Sequence, residues 1–394
     1  MRGNVLSHKI LKYRVMTAVW LWPNFGRNFW SLLFPQKNSF HLNQVRKIAF
    51  FRYGSIGDVL MTTPTVRAVR QQFTEAHISY YVGSWSREAI EGNPNVDEIA
   101  ELVPINIRKF SWRKQRDYIK QLSAKEYDLA FFLEGGGPYA HIAAYLAGIP
   151  IRVGWTEPQR NFLLTHKVPR SWNDSGHMVD WYLDLPRFLG IHEAGKQMEI
   201  QITQRDRNFI DCFLHKASLD PCDLLVGIFP GGGMNPGTIL YAKRWLKERY
   251  AQLGDWLTEQ YGAKIVIVGG SEDVSISQEV AALMKKPAVI ASGETSLKQT
   301  AALLERCSLY IGNDSAPMHL AAAVGTPTVS IFGPTNSTRL APMGDKHRVV
   351  KSDIDCSPCY QEILGFFPRC KSVECMKSIT VEKVFEAVRT QITK

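Results

Sequence analysis

Acidic residues are missing from the start of the chain: Arg2, Lys9, Lys12, Arg14, Arg27, Lys37, Arg46, Lys47 and Arg52 all precede the first acid, Asp58. These residues account for nearly all of the net charge of +10. The rest of the chain is close to balanced, which excludes a basic nucleic-acid groove running through the body. A long apolar run is missing too. The segments VMTAVWLW and FWSLLF are broken by Pro23, Gly26 and Arg27, and nothing approaches the roughly 20 residues that span a bilayer as a helix. No small-x-small cleavage site follows these segments, which argues against a signal peptide. Neither a G-x-G-x-x-G fingerprint nor a P-loop is present, and no short-period repeat or low-complexity tract is visible.

What is present begins with size. A chain of 394 residues with 45% hydrophobic content exceeds one ordinary core and suits two globular domains. Residues 1–44 form a basic, aromatic leader in which Leu6, Ile10, Tyr13, Thr17 and Trp20 share one helical face. Such a segment suits an anionic membrane surface, where each nearby Lys or Arg contributes about 1 kcal/mol. The alternatives are a signal peptide and an extension packed on the body.

The stretch 308–334, SLYIGNDSAPMHLAAAVGTPTVSIFGP, reads as strand, sharp turn, helix, strand. Asp314 or Ser315 can cap the helix, Pro317 suits its first turn, and Gly325 with Pro327 ends it. A helix N-terminus at the C-terminal edge of an open sheet favours an anion such as a diphosphate. His319, four residues after Ser315, falls on the same face.

Similar grammar runs through the chain. A strand over Val45–Tyr53 leads through GSIGD into a helix from about Leu60 to Phe73, and strands are expected at His77–Val82, Ile99–Val103, Tyr127–Leu133 and Ile151–Gly154. Helices are expected near Arg87–Glu91, Trp112–Ser123 and Tyr139–Leu146. The polar region Thr203–Asp223 reads as the passage to a second domain. There a strand Leu224–Phe229, a glycine loop, a helix Trp245–Tyr261 and a strand Lys264–Val268 follow, then Ile276–Lys285, Ala288–Ala291 and Leu297–Arg306. The predicted fold class is α/β: two Rossmann-like, doubly wound domains, 45–215 and 224–394, facing a central cleft.

Three loops carry candidate chemistry. Asp58, after the first strand, is a helix cap or a general base for an attacking hydroxyl. In PGGGMNPGTILYAKRW, Gly231, Gly232 and Gly233 leave backbone amides open to a phosphate, and Lys243 can bring a point charge to it. Arg244 is either a second phosphate cation or a surface charge. Glu272 and Asp273 follow a strand, where a carboxylate takes a ribose hydroxyl pair or caps the next helix.

These blocks resemble glycosyltransferase family 9, the ADP-heptose:lipopolysaccharide heptosyltransferases and their relatives, over about Ile48 to Val384. The resemblance rests on Gly57-Asp58-Val59-Leu60 with Thr63-Pro64, on Pro230-Gly231 leading to Lys243-Arg244-Trp245, and on Gly312-Asn313-Asp314-Ser315 with Pro317-Met318-His319-Leu320-Ala321-Ala322. Gly325-Thr326-Pro327 and Phe332-Gly333-Pro334-Thr335 extend the last block. Leu246 and Ala316 depart from the residues that relatives often carry. The resemblance implies a GT-B fold and inverting transfer from a nucleotide sugar, with no obligatory cofactor. It casts Asp58 as base, Lys243 as phosphate anchor, and Asp314, Ser315 and His319 as donor-side residues. It also implies a glycolipid or surface-glycan acceptor and a cytoplasmic enzyme peripheral to the inner membrane. A nucleotide-sugar epimerase of the same fold and a non-catalytic nucleotide-sugar-binding scaffold are the competing readings.

Cys356, Cys359, Cys370 and Cys375 cluster ahead of a terminal helix Val381–Gln391. The four thiols suit a structural zinc, a redox pair or free cytoplasmic thiols. Cys212, Cys222 and Cys307 read as packing residues.

Overall fold

The computed structural model describes residues 42–102, 111–133, 139–156, 161–169, 176–193, 195–235, 238–360, 370 and 372–392. The leader's expected membrane face lies outside them.

Two six-stranded parallel sheets organise the chain. The first contains β1 (Lys47–Arg52), β2 (His77–Val82), β3 (Glu98–Glu101), β4 (Leu129–Phe132), β5 (Ile151–Trp155) and β6 (His166–Val168), in the order β3-β2-β1-β4-β5-β6. A short hairpin, β8 (Met234–Asn235) with β9 (Thr238–Ile239), follows β7 (Leu225–Phe229). The second sheet continues with β10 (Lys264–Ile267), β11 (Ala288–Ile290), β12 (Leu309–Asn313), β13 (Thr328–Phe332) and β14 (His347–Lys351), in the order β11-β10-β7-β12-β13-β14. Both orders reverse beside the first strand of the sheet. In such folds ligands bind in the crevice at that switch point, beyond the C-terminal strand ends. Asp58 follows β1, the glycine loop follows β7, and Asp314 follows β12.

The central strands are apolar on both faces, as strands covered by helices on two sides must be. Alternate residues of β1 show it: Phe50 stacks on Phe131 at 5.1 Å and on Tyr80 at 6.1 Å, while Phe51, facing oppositely, stacks on Tyr81 at 4.8 Å and Phe132 at 5.4 Å. The largest buried apolar cluster joins residues of both halves, among them Val59, Leu60, Trp181, Met318, Leu320 and Leu340.

The single helix expected after Asp58 is two helices, Ile56–Leu60 and Thr63–Gln72. The Thr62 and Thr63 hydroxyls donate back to the Val59 and Leu60 carbonyls at 2.7 and 2.8 Å, and Pro64 has no N–H to continue the ladder. The polar passage contains a further helix, Gln204–Lys216, capped by Thr203 and burying only Ile210 and Leu214. It packs on Leu297–Arg306 of the second half through Arg207–Glu305 (2.7 Å) and Arg306–Asp211 (3.2 Å). The expected helix near Arg87–Glu91 is a 3-10 segment, Ser84–Ala89. The sequence reading missed β6, β14 and the helix Met178–Arg187, which carries Pro186 in its last turn.

Several contacts tie the halves together. His177 donates from Nε2 to the Ala341 carbonyl at 2.7 Å, because its Nδ1 accepts from the Val179 amide at 3.1 Å. Arg339 lies over the Trp181 ring at 4.0 Å. The Leu297 amide donates to Glu88 at 3.2 Å.

Candidate active site

On the first half, Ser55 caps the helix Ile56–Leu60, and its amide and hydroxyl each donate to Asp58 Oδ2 at 2.8 Å. Arg52, at the end of β1, meets Asp58 Oδ1 at 2.9 Å; its side chain is 7% exposed and that of Asp58 31%. Burial alone would raise the Asp58 pKa. The Arg52 guanidinium and the Ser55 bonds outweigh burial and hold it below the usual carboxylate range. Asp58 therefore both caps and remains ionised, open on one side to the cleft.

On the second half, Asp314 is 5% exposed and accepts from Lys243 Nζ at 2.7 Å. Burial raises its pKa, but Lys243 overcomes this and leaves it lowered. The N-cap of the helix Ala316–Ala323 is Ser315, yet its side chain makes no capping bond. Its half-buried hydroxyl instead faces the glycine loop: a Cβ on Gly232, where φ is +97°, would stand 2.9 Å from Ser315 Oγ. Only glycine combines that backbone with that clearance.

His319 joins the halves. A Cβ on Gly57 would come within 2.5 Å of the His319 ring, so the glycine allows the helix Ala316–Ala323 to approach the Asp58 helix. His319 is 4% exposed and its Nδ1 has no partner. Burial drives its pKa to about 4 against the pull of Asp314 and Asp58, so the ring is neutral at pH 7.

The remaining expected residues divide. Asp273 is a loop clamp: its oxygens accept from the Gly232 and Gly270 amides, each at 3.1 Å. Arg244 is no solvated charge either, since it donates to the Gly232 carbonyl at 2.8 Å, approaches Asp273 at 3.6 Å and stacks on Tyr241 at 4.4 Å. Both groups shape the loop that carries Gly231 and Gly232. Glu272 is exposed beside it.

The zinc reading finds no support among the described residues, where no group of three or more His, Cys, Asp or Glu side chains is placed to hold a metal. Cys375 is buried under Gly333 whereas Cys356 and Cys370 are exposed, and all four thiols are free. Cys307 packs as expected, but Cys212 and Cys222 are exposed.

Two residues that organise the site escaped the sequence reading. Asn313 is fully buried and has every polar valence used: Oδ1 accepts from the Trp245 amide and Tyr250 hydroxyl at 3.0 Å, and Nδ2 donates to the Pro230 and Gly231 carbonyls at 3.2 and 3.0 Å. It locks the glycine loop and the Lys243 segment to β12. Its position within the 312–315 block was a signal, but its residue type did not reveal four partners. Arg52 was visible only as one more basic residue, although a cation ending a buried strand demands a partner.

A helix N-terminus, a lysine and a glycine loop thus face a carboxylate across one cleft, an arrangement that can hold a diphosphate on one wall and deprotonate a hydroxyl on the other.

The chain is similar to several known proteins. The family model described as glycosyltransferase family 9 (heptosyltransferase) matches residues 115–364. Lipopolysaccharide heptosyltransferase 2 of Salmonella typhimurium is 27% identical over 307 residues, covering 75% of this chain and 85% of that protein. A crystal structure of a family 9 glycosyl transferase from Veillonella parvula superposes with a TM-score of 0.75 at 25% identity, covering 88% of this chain and 97% of the other. The E. coli ADP-heptose LPS heptosyltransferase II structure gives 0.68 at 24%, covering 88% and 98%, and shares the fold. The two facing sheets are a GT-B fold.

Proposed function

The chain belongs to glycosyltransferase family 9, and from that premise we propose that it transfers a heptose, or a related sugar, from ADP-heptose to a lipopolysaccharide core or another surface-glycan acceptor, inverting the anomeric centre. The observation that carries this reading is the meeting of Asp58 with the Lys243–Asp314–Ser315 wall across the His319–Gly57 contact.

Asp58 accepts the proton of the acceptor hydroxyl as that oxygen attacks the anomeric carbon. The bond to the diphosphate breaks on the opposite side, and the electron pair leaves with the nucleoside diphosphate. Lys243, the Ser315 region and the Gly231 amide meet the growing phosphate charge, whereas the Gly232 amide, expected to be open, is already taken by Asp273. Glu272, exposed beside the glycine loop, is the carboxylate available to a ribose, since Asp273 already holds two backbone amides. All the steps use groups of this chain.

A glycolipid acceptor places the enzyme at the cytoplasmic face of the inner membrane. The basic leader is the segment suited to hold it there peripherally; among the described residues no helix is long and apolar enough to cross a membrane.

Thermal unfolding with ADP, ADP-heptose, UDP and GDP tests the donor. Ligand at a hundred times its Kd stabilises by about 2.7 kcal/mol, so ADP and ADP-heptose are expected to raise the Tm by several degrees and UDP and GDP to do so far less. Preference for UDP or GDP would overturn the heptose donor.

A further inference from the structure

Arg52 is buried at the end of β1 and is held from three directions. One amino group donates to the Leu133 carbonyl at 2.7 Å, the other meets Asp58 Oδ1 at 2.9 Å, and the guanidinium carbon lies 5.3 Å from the centre of the Tyr182 ring. Leu133 directly follows the neighbouring β4 (Leu129–Phe132), and its amide donates to the Phe51 carbonyl of β1 at 3.0 Å, so the residue whose carbonyl grips Arg52 is itself anchored to the sheet. Tyr182 lies on the helix Met178–Arg187 and is fully buried. A planar fork fixed this way cannot follow its partner; the partner must conform to it.

We propose that Arg52 is the positioning residue of the catalytic carboxylate: by gripping Oδ1 while Ser55 grips Oδ2, it fixes the plane of Asp58 and keeps it charged and aimed into the cleft. This inference rests on the reading of Asp58 as the base. Arg52 itself touches neither substrate nor the reacting atoms.

Fixing a base in this way has a cost in basicity. Each proton that Asp58 accepts weakens its ion pair with Arg52, and an opposite charge at this distance commonly lowers a carboxyl pKa by about 1–3 units. Activity therefore extends to lower pH than a free carboxylate would allow. Three groups bear on Asp58 from the elements packed around it: Arg52 on β1, His319 on the helix Ala316–Ala323, and Tyr80 on β2, whose hydroxyl is bonded to Thr62 at 2.7 Å. His319 is neutral except in acid and Tyr80 except in strong base. Arg52 is thus the lasting charge among them.

The experiment compares wild type, Arg52→Gln and Arg52→Lys in the full chain. It reads the acid limb of kcat/KM against pH, the Asp58 carboxyl pKa by carbon NMR of labelled aspartate, and the thermal melt. Arg52→Gln is expected to raise both the acid limb and the NMR pKa by about 1–2 units and to lower kcat about tenfold or more. Arg52→Lys, which keeps the charge but loses the fork, is expected to restore the acid limb and only part of kcat. An unchanged NMR pKa in Arg52→Gln would overturn the proposal. A raised NMR pKa with an unmoved acid limb would leave the Arg52 coupling standing and overturn Asp58 as base. Should Arg52→Gln not fold, Arg52→Lys decides alone: wild-type kcat in that variant contradicts the need for the fork, and a lowered kcat with an unmoved acid limb supports it.

Discussion

Replacing Asp58 with alanine is expected to lower turnover about 10²- to 10⁴-fold, the usual range for a general base, while donor affinity stays near that of wild type. The loss corresponds to about 2.7 to 5.4 kcal/mol of barrier. The separation of effects follows from the architecture: Asp58 stands on the first half, and the proposed diphosphate site is built from β7 and β12 of the second. Alanine also leaves Arg52 without its carboxylate, so Asp58→Asn is the companion variant. It keeps an oxygen for Ser55 or Arg52 but cannot take a proton at neutral pH. Steady-state turnover with donor titration in each variant checks the expectation, and an Asp58→Ala enzyme within tenfold of wild type would remove the base assignment.

Lys243→Ala should weaken donor binding and turnover together. A hydrogen bond to a charged group contributes about 1.5–3 kcal/mol, or roughly 10- to 150-fold in Kd. A second cost arises here, because Asp314 is 5% exposed and would face the phosphates with no cation between them. In the intact site Lys243 is already shared with Asp314, so an arriving diphosphate must divide its charge with that carboxylate. Adding Asp314→Asn to Lys243→Ala is therefore expected to recover part of the lost affinity, a coupling that independent sites would not show. Calorimetric titration with ADP measures it. Wild-type affinity for ADP in Lys243→Ala would withdraw the phosphate role.

The strand and helix grammar of both halves was legible in the sequence because parallel strands covered on two faces are continuous apolar runs. His77–Val82, Tyr139–Leu146 and Leu297–Arg306 needed no adjustment. Two of the elements that escaped bury little: the helix Gln204–Lys216 presents two buried apolar residues on an otherwise charged surface, and β6 has three residues; the helix Met178–Arg187 escaped although it buries Val179, Trp181, Tyr182, Leu183, Leu185 and Pro186. At the site, residue type pointed to Asp58, Lys243, Asp314 and His319, and the structure brings these onto the two walls of one cleft. Pairing was not legible. Asp58 with Arg52, Asp273 with the Gly232 and Gly270 amides, and Asn313 with four backbone and side-chain groups are all contacts set by the fold across 3 to 83 residues of sequence. Asp273, read from sequence as either a ribose contact or a helix cap, is in place committed to two backbone amides.

The measurement that bears most directly on the central claim is the product of wild-type enzyme with ADP-heptose and a glycolipid acceptor lacking its heptose, analysed by NMR of the newly formed glycosidic linkage. Displacement by a hydroxyl under Asp58 predicts transfer to the acceptor with the anomeric configuration inverted and ADP released in equal amount. Retention of configuration would contradict the single displacement, and donor converted to an epimer without acceptor, or bound without turnover on any acceptor, would contradict the transferase reading of the cleft itself.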